Sequence, residues 1–471
     1  MGRVRFLLND RPAEVTAPLG LSTLAWLRRE RQLTGTREGC NEGECGACAV
    51  LLGEPAPGGV RYRAVASCLL PVGELAGRHL VTIEGLNPPA GLNPIQQALV
   101  DEGAPQCGFC FSGFVVSLTG FFLTSAGFAV GDAVAAIDGN LCRCTGYASI
   151  LRAVTRLCEE LPGRLDTGPA RVPRLVAAGL LPASFLDAGA QLAALGPWPA
   201  APADAPLMAG GTDLLVQRRE ALAGGDAVFV SRRPDLRTVT RDLDGLVIGG
   251  GVTVTELAES ADAAAVLPVL REMAPWFGST LIRNRATVAG NIVNASPIAD
   301  LVMVLLAAGA VLELASPRGS GRSVPLAAFY RGYKELDLRP GEVVRAVRVP
   351  QPPPGARFSF QKVSRRRILD IASVTSCAML LLDGGVVRTA RLAVGGVAPV
   401  PLLAKGAAAA LEGRPLDAAA VLAAAGALDR EIAPIDDVRG AAAYKRLLAG
   451  RILMAHVLEL APGAVRCGEL V

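Results

Sequence analysis

Eight of the chain's eleven cysteines lie in two tight groups before residue 145, and the thiolate is the side chain suited to soft metals. The first group reads Gly39-Cys40-Asn41-Glu42-Gly43-Glu44-Cys45-Gly46-Ala47-Cys48, a C-x4-C-x2-C spacing completed by Cys68. This is the plant-type pattern for a [2Fe–2S] cluster closed by four thiolates. Because the cluster is anionic, Gly39, Gly43 and Gly46 are expected to let a tight loop turn its backbone N–H groups onto the sulfurs. A zinc knot or four reduced core cysteines is the competing reading. Zinc favours paired C-x2-C units, and core cysteines do not sit among glycines and acids.

The second group places Cys107 and Cys110 in Gln106-Cys107-Gly108-Phe109-Cys110. Cys142 and Cys144 follow in Gly139-Asn140-Leu141-Cys142-Arg143-Cys144-Thr145-Gly146-Tyr147. A C-x2-C with a distant C-x-C also suits zinc, and taken alone this group leaves both metals open. Behind Cys110 run Phe114, Val115, Val116 and Leu118; behind Cys144, Ile150, Leu151, Val154, Leu157, Cys158 and Leu161 recur at helical spacing. Each pair is expected to open a helix, whose dipole and free N–H groups favour an anionic centre. Cys158, Cys377 and Cys467 stand outside both groups and receive no role.

The elements needed to position these residues can also be read. Residues 4–8 and 13–16 form a hairpin turning at Asn9-Asp10, followed by a helix capped near Ser22. Proline, alanine and glycine crowd the stretch from Leu161 to about Pro206, a shift that marks a linker over 161–181 and the start of a new domain. Residues 207–215, Leu-Met-Ala-Gly-Gly-Thr-Asp-Leu-Leu, predict a strand, a glycine turn and a helix. Such a turn presents bare N–H groups and the Thr212 hydroxyl to a diphosphate. Residues 285–300 interleave Thr287, Asn291 and Asn294 with glycine and small residues, which suits a loop along a phosphate and ribityl chain. Gly249-Gly250-Gly251 invites a dinucleotide reading, but Val254 stands where the fingerprint's third glycine belongs, so a strand turn is expected. Strands over 358–363, 373–382 and 391–397, then alanine-rich helices to residue 458, read as a separate α+β domain.

The order of these motifs resembles the xanthine oxidase family of molybdenum hydroxylases over about residues 1–460. Cys107-Gly108-Phe109-Cys110 and residues 139–147 look like that family's motifs; Phe111-Ser112 departs from its usual Thr-Pro but removes no ligand. The resemblance implies one [2Fe–2S] cluster on Cys40, Cys45, Cys48 and Cys68 and a second on Cys107, Cys110, Cys142 and Cys144. It implies FAD contacts from Ala209, Gly210, Gly211, Thr212, Asp213, Leu214, Thr287, Asn291, Asn294, Asp300 and Lys362, with Phe277 near the flavin or adenine. Arg365, Arg366 and Arg367 read equally well as a basic surface strand. The implied fold is multidomain α+β. It comprises a β-grasp ferredoxin-like domain (1–85), a four-helix bundle (86–160), the linker (161–181), an FAD domain of the vanillyl-alcohol oxidase (PCMH) type (182–355) and an α+β flavoprotein C-terminal domain (356–471).

By the same resemblance no catalytic acid or base is expected on this chain. Substrate would be hydroxylated at a molybdenum cofactor on a large partner subunit of an α2β2 heterotetramer. Electrons would pass through the Cys107 cluster and the Cys40 cluster to FAD and then NAD+. The expected oxidation is of hypoxanthine and xanthine to urate. The same role with an aldehyde, nicotinate or another N-heterocycle is one alternative, and a non-enzymatic zinc-binding protein is the other.

Composition narrows the classes. A net charge of +4 with no Lys/Arg block argues against nucleic acid as a partner. Hydrophobic residues at 51% and charged ones at 19% describe a chain that folds throughout. The longest apolar run, 301–312, is short of the roughly 20 residues that cross a bilayer. Residues 1–10 hold no signal-type apolar segment, so a cytoplasmic chain with reduced cysteines is expected. Two distant histidines, His79 and His456, do not make a His-based zinc site or triad.

Overall fold

The computed structural model describes residues 2–161, 171–196, 207–225, 227–229, 233–316 and 321–470. It divides into two compact units, Met1–Val230 with Ser279–Arg285, and Ser231–Gly278 with Ala286–Val471.

In the first unit, Val4, Phe6 and Leu8 share one core face of β1 (Gly2–Leu8), with exposed Arg3 and Arg5 and buried Leu7 on the other. It pairs antiparallel with β2 (Arg11–Ala17) through Asn9-Asp10, and Asn9 takes the positive φ of 55° that such a turn needs. Ser22 caps α1 (Thr23–Arg29), its hydroxyl accepting from Ala25 N. With β3 (Ala49–Ala56), β4 (Gly59–Ala66) and β5 (His79–Val81) the sheet runs β2-β1-β5-β3-β4, β1 and β5 being parallel. This is the β-grasp expected, its core built on Phe6, Trp26 and Leu27.

Four helices follow: α2 (Pro94–Asp101), α3 (Phe111–Thr124), α4 (Val130–Ala136) and α5 (Ala148–Glu160). They close around Phe114, Phe122, Ile150 and Val154. α3 is apolar almost all round because it also packs on β3 and β4.

Of the stretch expected as a linker, 162–170 lie outside the described residues, while Arg171–Ala177 form α6, with Leu175 buried in the bundle core. α7 (Ser184–Ala194) sets Ala188 and Leu192 on Leu7 of β1. β6 (Leu207–Met208), α8 (Leu214–Gln217) and β7 (Val228–Phe229) also belong to this first unit, Met208 and Phe229 joining the β-grasp core. The first compact unit thus runs on to Val230. The reason is visible in β1: Leu7 is apolar on the face opposite Phe6, so the sheet has a second side to bury.

The second unit holds β8 (Val239–Asp242), β9 (Gly245–Gly249), β10 (Val311–Ala315), β11 (Gly321–Pro325), the small hairpin β12 (Tyr330–Gly332) and β13 (Glu335–Leu336), and β14 (Val343–Pro350). Five of these form a sheet in the order β11-β10-β14-β9-β8. β15 (Arg357–Val363), β16 (Val374–Asp383), β17 (Val386–Gly395) and β18 (Leu402–Leu403) make an antiparallel meander covered by helices including Ala442–Leu460. The apolar run at 301–312 is the helix Asp300–Ala307, buried on every face, and the start of β10. That helix packs on β16 and β17, which unites the flavin and C-terminal segments in one unit. Among the described residues no helix is long and apolar enough to cross a membrane.

Candidate functional site

Cys48 immediately precedes β3 and Cys68 lies just beyond β4, whose register pairs Ala49 with Ala66. The hairpin thereby brings these two buried sulfurs to 3.4 Å. Cys40 and Cys45 form the other pair, sharing a hydrogen bond between thiols. The Cys40 sulfur accepts from Glu42 N at 3.5 Å and Glu44 N at 3.3 Å, and the Cys45 sulfur accepts from Cys40 N at 3.4 Å. Gly43 and Gly46 take φ of 84° and 66°, which opens the loop's amides to the sulfurs. A Cβ on Gly39 would stand 2.8 Å from the Cys45 sulfur. The proton shared with Cys45, aided by the Glu42 and Glu44 amides, holds the Cys40 thiol down at about 5, while Cys45 is pushed up. Paired thiols supplied with N–H donors fit an anionic two-iron centre, which takes two thiolates on each iron.

In the second group the Cys107 and Cys144 sulfurs lie 3.5 Å apart and Cys110 hydrogen-bonds Cys142. Each pair draws one thiol from the C-x2-C and one from the C-x-C. Cys110 stands directly before α3 and Tyr147 directly before α5, so both motifs do open helices. Tyr147 shapes the loop between them: its hydroxyl accepts from Cys142 N at 3.0 Å, and its own N–H donates to Thr145 Oγ1 at 3.1 Å. Burial pushes Cys110 up to about 12, and the Phe109 N–H lowers exposed Cys107. Among the described residues no three His, Cys, Asp or Glu gather around one point; in both groups the thiols come as pairs.

The two thiol groups meet. Leu141 N donates to Cys45 O at 3.0 Å, and Asn140 Nδ2 to Gly46 O at 3.2 Å. The approach is so close that a Cβ on Gly46 would lie 2.3 Å from Gly139 O, and one on Gly113 would lie 2.3 Å from Gly46 O. One backbone hydrogen bond thus joins Cys45 to the residue preceding Cys142. The sequence marked 139–147 for its cysteines; that Asn140 and Leu141 reach the first loop carried no signal of its own.

The flavin-type residues fall in both units. In the first, Ala209 and Gly210 follow β6, Gly211 turns at φ 79°, Thr212 and Asp213 lead into α8, and Leu214 begins it. The Gly210 carbonyl accepts from Arg285 Nη2 at 3.1 Å, and Arg285 Nη1 donates to buried Glu74 at 3.0 Å. Glu74 also pairs with Arg78. Neither Glu74 nor Arg285 was legible as a site residue, since no motif spacing links them.

In the second unit Thr287 caps the helix Val288–Val293, its hydroxyl accepting from Gly290 N at 3.0 Å. Asn291 lies on that helix with its Oδ1 buried and unpartnered, an acceptor of the kind a bound polar cofactor satisfies. Asn294 Oδ1 accepts from Lys334 at 3.2 Å. Lys362 on β15 donates to Asp300 Oδ2 and to Trp276 O, each at 2.7 Å. Burial pushes Asp300 up, and Lys362 opposes that shift. Phe277, after Trp276, is partly buried. Arg365, Arg366 and Arg367 lie in the loop beyond β15, Arg367 over the Trp276 ring at 5.8 Å, rather than on a strand. Gly250 sits against β14, where a Cβ would meet Val344 O at 2.1 Å, and its carbonyl accepts from Ala289 N at 3.0 Å. The triple glycine is a seat for the helix bearing Asn291.

Comparison with known proteins agrees with this anatomy. Family models match in four places: a 2Fe-2S iron-sulfur cluster binding domain over residues 6–72, a [2Fe-2S] binding domain over 82–155, an FAD binding domain in molybdopterin dehydrogenase over 180–352, and a CO dehydrogenase flavoprotein C-terminal domain over 359–460. Fold and sites together define an iron–sulfur flavoprotein with the electron-transfer domains of the molybdenum hydroxylases. CO dehydrogenase from Oligotropha carboxidovorans is similar at 31% identity and a TM-score of 0.51, covering 54% of this chain and 89% of that one. Quinoline 2-oxidoreductase from Pseudomonas putida 86 is similar at 28% identity and a TM-score of 0.51, covering 55% and 90%. Xanthine dehydrogenase of Dictyostelium discoideum is 28% identical over 456 residues, 80% of this chain and 34% of its own length. The chain belongs to the xanthine oxidase family of molybdenum hydroxylases. It spans about a third of the length of the curated relatives it matches.

Proposed function

We propose that this chain is the iron–sulfur and FAD subunit of a cytoplasmic xanthine dehydrogenase, paired with a molybdopterin-binding large subunit in an α2β2 assembly. Cys107, Cys110, Cys142 and Cys144 hold one [2Fe–2S] cluster, and Cys40, Cys45, Cys48 and Cys68 the other. FAD is taken by Ala209, Gly210, Gly211, Thr212, Asp213, Leu214, Thr287, Asn291, Asn294, Asp300 and Lys362, with Phe277 beside it. When bound, the clusters carry single electrons and the flavin converts between one- and two-electron chemistry.

The observation that carries this reading is the 3.0 Å bond from Leu141 N to Cys45 O. It supplies a short path of covalent and hydrogen bonds from one thiol group to the other. One pair of the second group also faces outward: Cys107 and Cys144 are exposed beside Phe109 and Leu141, which are 45% and 46% exposed, while Cys142 is buried, as Cys48 and Cys68 are in the first group. Electrons arriving from a partner's molybdenum centre favour an entry point of that kind. The chain's residues hold and insulate carriers; catalytic groups for hydroxylation belong to the partner.

Xanthine and hypoxanthine as substrates, urate as product and NAD+ as acceptor rest on the sequence resemblance and the curated xanthine dehydrogenases. The likeness to CO dehydrogenase and quinoline 2-oxidoreductase favours a second reading, the same electron-carrying role with another substrate, such as an aldehyde, nicotinate or another N-heterocycle. The test is to purify the chain with its native partner and follow NAD+ reduction anaerobically on adding xanthine or hypoxanthine. Prompt NADH formation is expected. A molybdenum-loaded complex whose flavin and clusters stay oxidised with both purines would retire the purine assignment in favour of the second reading.

A further inference from the structure

Arg219 is anchored on the first thiol loop by two backbone carbonyls. Its Nη1 donates to Cys68 O at 3.2 Å and its Nη2 to Asn41 O. Asn41 adjoins Cys40 and Cys68 completes the set, so one planar guanidinium ties the ligand loop to the turn beyond β4 that carries the fourth thiol. Arg219 opens the short helix Arg219–Ala223, downstream of the Gly210-Gly211-Thr212 turn. That segment is fixed on the β-grasp domain: Gly20 N donates to Gly225 O at 3.2 Å, and a Cβ on Gly20 would meet Leu222 O at 2.3 Å. Among the described residues the guanidinium is held by carbonyls and by no carboxylate.

The same loop carries Glu38, Glu42 and Glu44, all exposed. Water and salt screen such charges. Arg219 is partly buried against the ligand loop, so the field of its guanidinium acts with less screening. An iron–sulfur cluster becomes one unit more negative on reduction, and its potential follows the net charge and hydrogen bonding around it. We propose that Arg219 sets the redox potential of the cluster held by Cys40, Cys45, Cys48 and Cys68, raising it so that electrons collect on the side of the chain that carries the glycine turn. This inference rests on the cluster assignment above. For a charge one or two side-chain lengths away at an effective dielectric near 20, the shift is about tenfold in the oxidised-to-reduced equilibrium, about 59 mV for a one-electron couple.

The test compares the cluster-loaded full-length parent with Arg219→Gln and Arg219→Lys in redox titrations followed by electron paramagnetic resonance, with iron content measured in parallel. Arg219→Gln is expected to lower the potential of one cluster and leave the other at its parent value. Arg219→Lys, which keeps the charge but not the fork, is expected to stay near the parent. An iron-replete Gln variant with two unshifted potentials overturns the proposal, as does a shift of both clusters together. If the Gln variant loses iron, the Lys variant decides: an intact cluster at the parent potential supports the role of the charge, and an intact cluster whose potential has fallen refutes it. A parent chain without two distinct cluster signals would instead remove the underlying cluster assignment.

Discussion

Lys362 illustrates what a single residue can carry here. Its side chain is 2% exposed, and it is paired with Asp300, itself within the core. Removing one member of a buried pair strands the other charge at a cost of about 3 kcal/mol. Lys362→Met should therefore lower the unfolding free energy by about that much in chemical denaturation, and adding Asp300→Asn should recover part of the loss. A Cys48→Ser chain should retain about half the parent's iron by direct analysis and lose one of two cluster signals, since each cluster needs its own four thiolates. At this scale the cysteines were legible because ligation imposes spacing on the sequence. Glu74, Arg219 and Arg285 were not, because an ion pair or a carbonyl anchor is assembled from residues distant in sequence and leaves no period to read.

Among elements, the decisive contacts are backbone to backbone. Gly46 needs positive φ and has a carbonyl oxygen 2.3 Å from where a Cβ would go. Gly46→Ala should separate the 139–141 stretch from the first loop, destabilise the chain by at least about 1–3 kcal/mol, and slow electron passage between clusters in rapid-mixing reduction. Gly463→Ala, at positive φ but with nothing within 4 Å of its Cβ, should cost only the modest strain of its backbone and leave those kinetics at the parent rate. The helices behind both cysteine pairs were readable from apolar periodicity and from the cysteines at their starts. The β3–β4 register that brings Cys48 to Cys68 was carried only by the two-residue turn at Pro57-Gly58 between the strands, a local signal that names no cysteine.

For the whole molecule, the two histidines give both units a shared acid sensitivity. His79 in the first unit is hydrogen-bonded to Tyr62 at 2.7 Å and to the Asn9 carbonyl at 2.6 Å, and burial lowers it to about 4. His456 in the second lies between the Ser359 and Ser376 hydroxyls at 2.8 and 3.0 Å, and burial lowers it to about 3. Both values lie below the unfolded value near 6.5, so the unfolded chain binds protons that the folded chain refuses. The stability each contributes is complete above pH 6.5 and is lost as pH falls from there through the folded values. Between pH 7 and 5 each should remove about 2 kcal/mol. Urea denaturation of the full chain at the two pH values should show a drop smaller by about that amount in His456→Gln than in the parent.

The sequence by itself determined the inventory: two thiol quartets, the glycine turn at 210–211, the Thr287-to-Asn294 stretch, and the order of domains around them. These are local properties, in which spacing, glycine conformation and hydrophobic period are written along the chain. Tertiary structure decided the partnerships. It paired each C-x2-C thiol with a C-x-C thiol, joined Cys45 to Leu141, placed Arg219 on the first ligand loop, and turned Gly249-Gly250-Gly251 into a helix seat rather than a phosphate loop. It also drew residues 171–196, 207–225 and 227–229 onto the β-grasp and its bundle, because a sheet with apolar residues on both faces recruits whatever covers the second.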